Sequence, residues 1–220
     1  MPDSFQRVAG AIGSLLTLPL VGLLGLAVRL DSPGPAIHAS QRIGHGGRPF
    51  SCHKLRTMRD DAAGPAVTVR GDVRVTALGR LLRRTRLDEL PQLWDVAGGA
   101  MRLVGPRPEA PEFVDLADPL QREVFTARPG ITGLAQLFGT DEAAQLGGSD
   151  PAERYRSLIL PPKLRLDAAY LRHRSARLDL WILAWTPLAL LGRRPSLPAI
   201  IAAELGRPAA APPRGQAADA

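Results

Sequence analysis

Arg83-Arg84-Thr85-Arg86-Leu87-Asp88-Glu89-Leu90-Pro91-Gln92-Leu93-Trp94, continued by Leu103-Val104-Gly105-Pro106-Arg107-Pro108, is the stretch from which the rest of the chain can be read. Upstream of it, Thr76 is placed to cap a short helix with Leu78, Leu81 and Leu82 on one face and Arg80, Arg83 and Arg84 on the other. Pro91 has no N–H to donate and suits only the first turn of a second helix. That helix is therefore expected to start near Leu87, with Asp88 and Glu89 in its first turn. There the positive end of the helix dipole and the neighbouring guanidinium groups favour the ionised carboxylate. Consecutive helical side chains point about 100° apart, so the two carboxylates divide their work. One can attack or hold a metal while the other orients, binds metal or handles a proton. Taken alone, such residues are more often dipole-matched surface groups.

Two further segments present cations on stiff backbone. Pro106 and Pro108 fix the chain on either side of Arg107, so less entropy is lost when its guanidinium engages an anion. Arg128-Pro129-Gly130-Ile131-Thr132-Gly133 repeats the arrangement, and Gln136 follows, either packing or touching a substrate. An arginine fork matches phosphate oxygens two at a time, as lysine does not. Nearer the N-terminus, residues 36–43 and Pro49–Leu55 read as two short strands joined through Gly44-His45-Gly46-Gly47. Lys54 and Arg56 at the end of the second strand are either anion ligands or solvated edge residues.

Residues 8–28 carry no charge, which is roughly 30 Å of helix and enough to cross a bilayer's hydrocarbon. Pro19 lies near the middle and invites a bend, tolerable if Thr17 or neighbouring protein satisfies the freed carbonyl. Arg7 and Arg29 flank the segment, and the following domain is basic. The positive-inside tendency thus draws both ends towards the cytoplasm. A re-entrant helix turning at Leu18-Pro19 fits these demands better than a straight span.

The 220 residues suit one domain with a modest core, and the net charge is +7. Almost all of the positive charge is arginine, without a basic block or interleaved aromatics, so phosphorylated substrates or an anionic membrane are better partners than nucleic acid. Cys52 is the only cysteine, which excludes an intramolecular disulfide. The four histidines lack zinc-ligand spacing. Residues 141–150 read as a loop, and residues 161–177 as an amphipathic helix with Leu164, Ala168 and Leu171 on one side. Residues 178–191 read as an apolar helix with Trp181 and Trp185, too short to span comfortably. It is either interfacial or buried.

The dyad run, Leu103–Pro108 and Arg128–Gly133 resemble the bacterial sugar transferases, the monotopic phosphoglycosyl transferases. Arg42–Phe50, Lys54-Leu55-Arg56-Thr57-Met58, Leu166-Asp167, Tyr170, Ser175 and Leu178-Asp179-Leu180 match the same family in the same order. Where the family commonly has serine before Leu-Asp-Glu, this chain has Arg86, leaving Thr85 as a substitute cap by a one-residue shift.

The resemblance implies an α+β fold: a membrane-embedded re-entrant helix at residues 1–30, and a small, mainly helical cytoplasmic catalytic domain at 31–192 with a β-hairpin and interfacial helices. A disordered tail is expected at 193–220. It also implies transfer of a sugar-1-phosphate from a UDP-sugar to a polyprenyl (undecaprenyl) phosphate at the bacterial inner membrane, for glycan assembly such as exopolysaccharide. Asp88 would be nucleophile and metal contact, with Glu89 assisting and Mg²⁺ as cofactor. Lys54, Arg56, Arg83, Pro106, Arg107, Pro108, Arg128 and Gln136 would form the substrate site. Two rival readings are a catalytically silent scaffold of the same fold and a basic anion- or nucleic-acid-binding protein. The sugar and the oligomeric state, a homodimer included, stay open.

Overall fold

The computed structural model describes residues 1–60, 64, 67–139, 142–148, 150–193 and 195–206. It opens with α1, Asp3–Asp31, a helix of 29 residues that runs through Pro19 without interruption. At Leu18-Pro19, where a turn was expected, the backbone stays helical. Thr17 does not serve the carbonyl freed by the proline, since its hydroxyl donates to Gly13 O at 2.7 Å. One stripe of α1 is buried against the rest of the chain through Gln6, Gly10, Val21, Gly25 and Val28. The other face leaves Leu15, Leu16, Leu23 and Leu30 exposed. Among the described residues, α1 is the one helix long and apolar enough to cross a membrane.

Strands β1 (Ile37–Ile43) and β2 (Pro49–Leu55) form the antiparallel hairpin that the sequence predicts, pairing Ile37 with Leu55 and His38 with Lys54. Helix α2, Ala77–Thr85, begins where Thr76 Oγ1 accepts from Gly79 N at 2.9 Å. Its inward face differs from expectation. Leu82 is buried but Leu81 is 47% exposed, and Arg83 points inward, donating to Thr57 and Thr68 hydroxyls. Thr85 does not substitute as a cap, because its hydroxyl donates back to Leu81 O and Leu82 O.

Arg86 adopts left-handed backbone (φ 58°) and turns the chain into a 3₁₀ turn, Leu87–Glu89. Helix α3, Gln92–Gly98, follows with Pro91 as its N-cap and ends at Gly99, φ 84°. The acidic dyad therefore sits in a turn before the helix, not within its first turn. The chain continues through β3 (Arg102–Val104), α4 (Pro119–Val124), β4 (Gly130–Thr132), α5 (Leu134–Phe138), α6 (Glu142–Gln145) and α7 (Pro151–Arg154). Helix α6 falls in the stretch expected as a loop.

A π-helical turn, Tyr155–Ile159, leads into α8, Leu160–Arg172. The helix expected over 161–177 stops at His173, because Ser175 caps a new helix, α9 (Ala176–Leu190), by accepting from Leu178 N. Helix α10, Ala199–Leu205, corrects the expectation of disorder after residue 193. Its Ile201 is fully buried, and Glu204 pairs with Arg172 at 2.7 Å. Residues 207–220 of that tail lie outside the described residues.

The parallel pair β3 and β4 joins Arg102 to Gly130 and Val104 to Thr132. It presses the two proline-arginine loops together, backbone on backbone. A Cβ at Gly130 would lie 2.1 Å from Gly105 N, and one at Gly133 2.3 Å from Gly105 O. Only glycine permits that approach. The largest cores lie between α8, α9 and α5, and between α8 and the Phe113–Tyr155 region. A third joins α1 to Leu55, Leu82, Leu87, Leu90 and Trp94.

Candidate active site

The dyad is held in place by its own apolar neighbours. Leu87 and Leu90 pack into the α1 core, which turns Asp88 to the opposite side and buries it to 6% exposure. Asp88 Oδ1 is buried and makes no hydrogen bond. Burial raises its pKa above the ordinary aspartate value, with Glu89 adding to the rise and Lys54, Arg83 and Arg86 opposing it. The shift runs opposite to the one the helix dipole favours, because desolvation outweighs the cations around it.

Glu89 behaves oppositely. Burial pushes against ionisation, yet Arg107 and Arg86 together hold its carboxyl below the usual range. Glu89 Oε1 accepts from Arg107 Nη2 and from Arg86 Nη1, each at 3.1 Å. The two neighbouring carboxylates thus differ in kind. Glu89 is a fixed anion that orients Arg107, and Asp88 is an unpartnered one.

Lys54, half-buried on β2, faces the same space and has its pKa lowered to about 8 by burial and then by Arg42 and Arg83. Arg83 approaches Asp88 from α2. Pro106 and Pro108 shape the loop that carries Arg107, and Pro106 O accepts from Gly130 N at 2.7 Å. Gln136, on α5, has both amide atoms buried without a partner. The structure therefore joins Lys54, Arg83, Asp88, Glu89 and Arg107 in one electrostatic cluster.

One expected ligand is used elsewhere. Arg56 is 4% exposed and donates to Val28 O, Ser32 O and Oγ, Pro33 O and Pro35 O, so its guanidinium tethers the end of α1. No donor remains free to bind a substrate. Arg128 pairs with Asp3, which also pairs with Arg102, at the start of α1.

A buried polar layer escaped the sequence reading. Lys163 pairs with Glu109 at 3.1 Å and donates to Tyr155 at 2.6 Å, while Tyr155 donates to Glu109 at 2.7 Å. Beside it Asp167, 3% exposed, accepts from Arg107 N at 3.4 Å and leaves Oδ1 without a partner. Burial lifts its pKa to about 7. The available signal was Lys163 and Asp167, four apart, beside Leu164 and Ala168 on the apolar stripe of one helix.

Residues 2–193 match the family described as bacterial sugar transferase. The chain belongs to that family. The transferase is 42% identical to a UDP-glucose:undecaprenyl-phosphate glucose-1-phosphate transferase of Caulobacter vibrioides, over 84% of this chain and 67% of the relative. It is 34% identical to a protein of the same name from Xanthomonas campestris pv. campestris, over 86% of this chain but 38% of the relative. An exopolysaccharide production protein, PSS, of Rhizobium leguminosarum bv. phaseoli is 34% identical, over 84% of this chain and 93% of the relative. The chain is accordingly an enzyme of the phosphoglycosyl transferase class, and the resemblance read from its motifs holds over nearly its whole length.

Proposed function

We propose that the transferase moves a sugar-1-phosphate from a UDP-sugar to a polyprenyl phosphate through a covalent intermediate on Asp88. The observation that carries this reading is the contrast within the dyad: Asp88 Oδ1 is buried and unbonded, while Glu89 is fixed to Arg107. An unpartnered carboxylate oxygen ringed by Lys54, Arg83 and Arg86 is poised to attack an anion, because those cations also offset the phosphate's charge. In the first step an Asp88 oxygen bonds to the β-phosphorus as the bridging P–O bond breaks, and UMP leaves with that electron pair. In the second, an oxygen of the polyprenyl phosphate bonds to the same phosphorus and the Asp88 carboxylate is released. Neither step needs a net proton. Glu89 serves by holding Arg107 towards the transferred phosphoryl group.

The donor set fits Mg²⁺. No cluster of three or more metal-ligating side chains occurs among the described residues. Magnesium, however, is commonly held by one or two carboxylates together with substrate phosphates, and Asp88 offers an unsatisfied oxygen for that. When bound, the ion would neutralise phosphate charge.

The same reading places the domain on the cytoplasmic face of the bacterial inner membrane, with α1 held in the facing leaflet and both its ends on the cytoplasmic side. Both ends of α1 are tied to one domain, Asp3 to Arg102 and Arg128, and Val28 with Ser32 to Arg56. Labelling of Ser4→Cys and Asp31→Cys in intact cells checks this; reactivity from opposite sides rejects it.

Intact-protein mass spectrometry with Mg²⁺ and a panel of UDP-sugars tests the chemistry. A sugar-phosphate adduct accompanied by UMP, and absent from Asp88→Asn, is the expected result. Undiminished transfer by Asp88→Asn refutes the covalent route.

A further inference from the structure

A groove of about 390 Å³ runs between the second half of α1 and the hairpin, lined by Leu18, Gly22, Leu26, Ile37 and Trp94, with Arg29 among its walls. It is apolar along its length and cationic at Arg29. Arg29 is exposed and, among the described residues, has no hydrogen bond or ion pair. At Gly22 a Cβ would meet no heavy atom within 4 Å, so the groove is open there. On one side the groove is continuous with the exposed apolar face of α1, Leu23 and Leu30 included. On the other it backs onto the dyad's turn, since Trp94 and Ile37 share a core with Leu87 and Leu90. Ile37 also precedes His38, which pairs across the hairpin with Lys54.

We propose that this groove seats the first isoprene units of the acceptor, with Arg29 drawing its phosphate towards the site. The inference rests on the transfer reaction above and adds the place where the acceptor lies. A polyprenyl phosphate has the same polarity as the groove, a branched apolar chain ending in an anion. Within a bilayer the chain gains little from leaving lipid, which is as apolar as leucine. The groove therefore acts by shape and by the charge of Arg29, aligning one lipid among many with the reacting phosphorus.

Kinetics in nanodiscs with undecaprenyl phosphate test the idea. Gly22→Phe puts a ring where a Cβ meets no heavy atom within 4 Å, and it is expected to raise the acceptor's KM about tenfold. Arg29→Gln should act in the same direction. The donor's KM, read in the same assays, should shift by less than about twofold. Leu16→Phe, exposed on α1 but outside the groove, controls for bulk in the bilayer. An unchanged acceptor KM in Gly22→Phe overturns the groove. Failure of the native enzyme to use undecaprenyl phosphate at all overturns the transfer reaction itself, and is seen before any variant is made. A photoreactive isoprenoid phosphate on the native protein gives a result independent of folding. Label at residues 18–29 or Trp94, competed by undecaprenyl phosphate but not by phospholipid, supports the groove. Label elsewhere, or displaced by phospholipid, removes it.

Discussion

Lys54 is the residue through which alkaline pH reaches the site. Its pKa, brought to about 8 chiefly by burial, leaves it charged below that pH and neutral above. Turnover of the UDP-sugar should accordingly fall as pH passes 8, and Lys54→Arg should move that limb out of range; a pH profile of kcat/KM for both proteins decides it. Asp167 carries the opposite dependence. A carboxyl whose folded pKa is raised from 3.8 to about 7 favours the fold while protonated, an advantage complete below pH 4 and lost as pH rises through 7. Asp167→Asn should match the native protein's stability near pH 4 and exceed it by up to roughly 4 kcal/mol above pH 7, as followed by thermal melts across pH. Asp88, Glu89 and Arg107 were legible because proline and the dyad fix their surroundings within a few residues. Arg56 was misread for the converse reason. A sequence displays a guanidinium but not the carbonyls of residues 28–35 that engage it.

Elements were easiest to read where their signals are local. The hairpin, the Thr76 cap and the Gly99 stop all follow from turn residues and period. The boundary between α8 and α9 was placed a few residues late, at 177–178, because apolar periodicity continues across it, and only the Ser175 hydroxyl marks the restart. Helix α10 was missed because alanine and proline dominate its flanks, whereas Ile201 and Glu204 secure it through tertiary contacts. Packing of α1 on α3 depends on Gly10, where a Cβ would lie 2.8 Å from Val96 Cγ1 and 2.9 Å from Ala97 N. Gly10→Ala should lower the melting temperature despite alanine's better helix propensity, whereas Gly22→Ala, facing open space, should not. Arg56→Ala leaves several buried carbonyls without donors and should cost about 3 kcal/mol, or roughly 6–12 °C in a thermal melt of purified protein.

The molecule as a whole couples one apolar helix to one basic domain, and the two differ in how they hold a membrane. Charge alone would release the protein in high salt; the exposed leucines of α1 should keep it bound until detergent is added, as sedimentation after salt washing checks. Because Asp3 at one end of α1 and Val28 at the other are both held to the domain, helix and catalytic centre are expected to move as one body. Such a body cannot tilt its anchor to follow a thinner or thicker bilayer. The lipid must deform around it instead, so the elevation of Asp88 above the headgroups is a property of the protein and stays the same in bilayers of different acyl length.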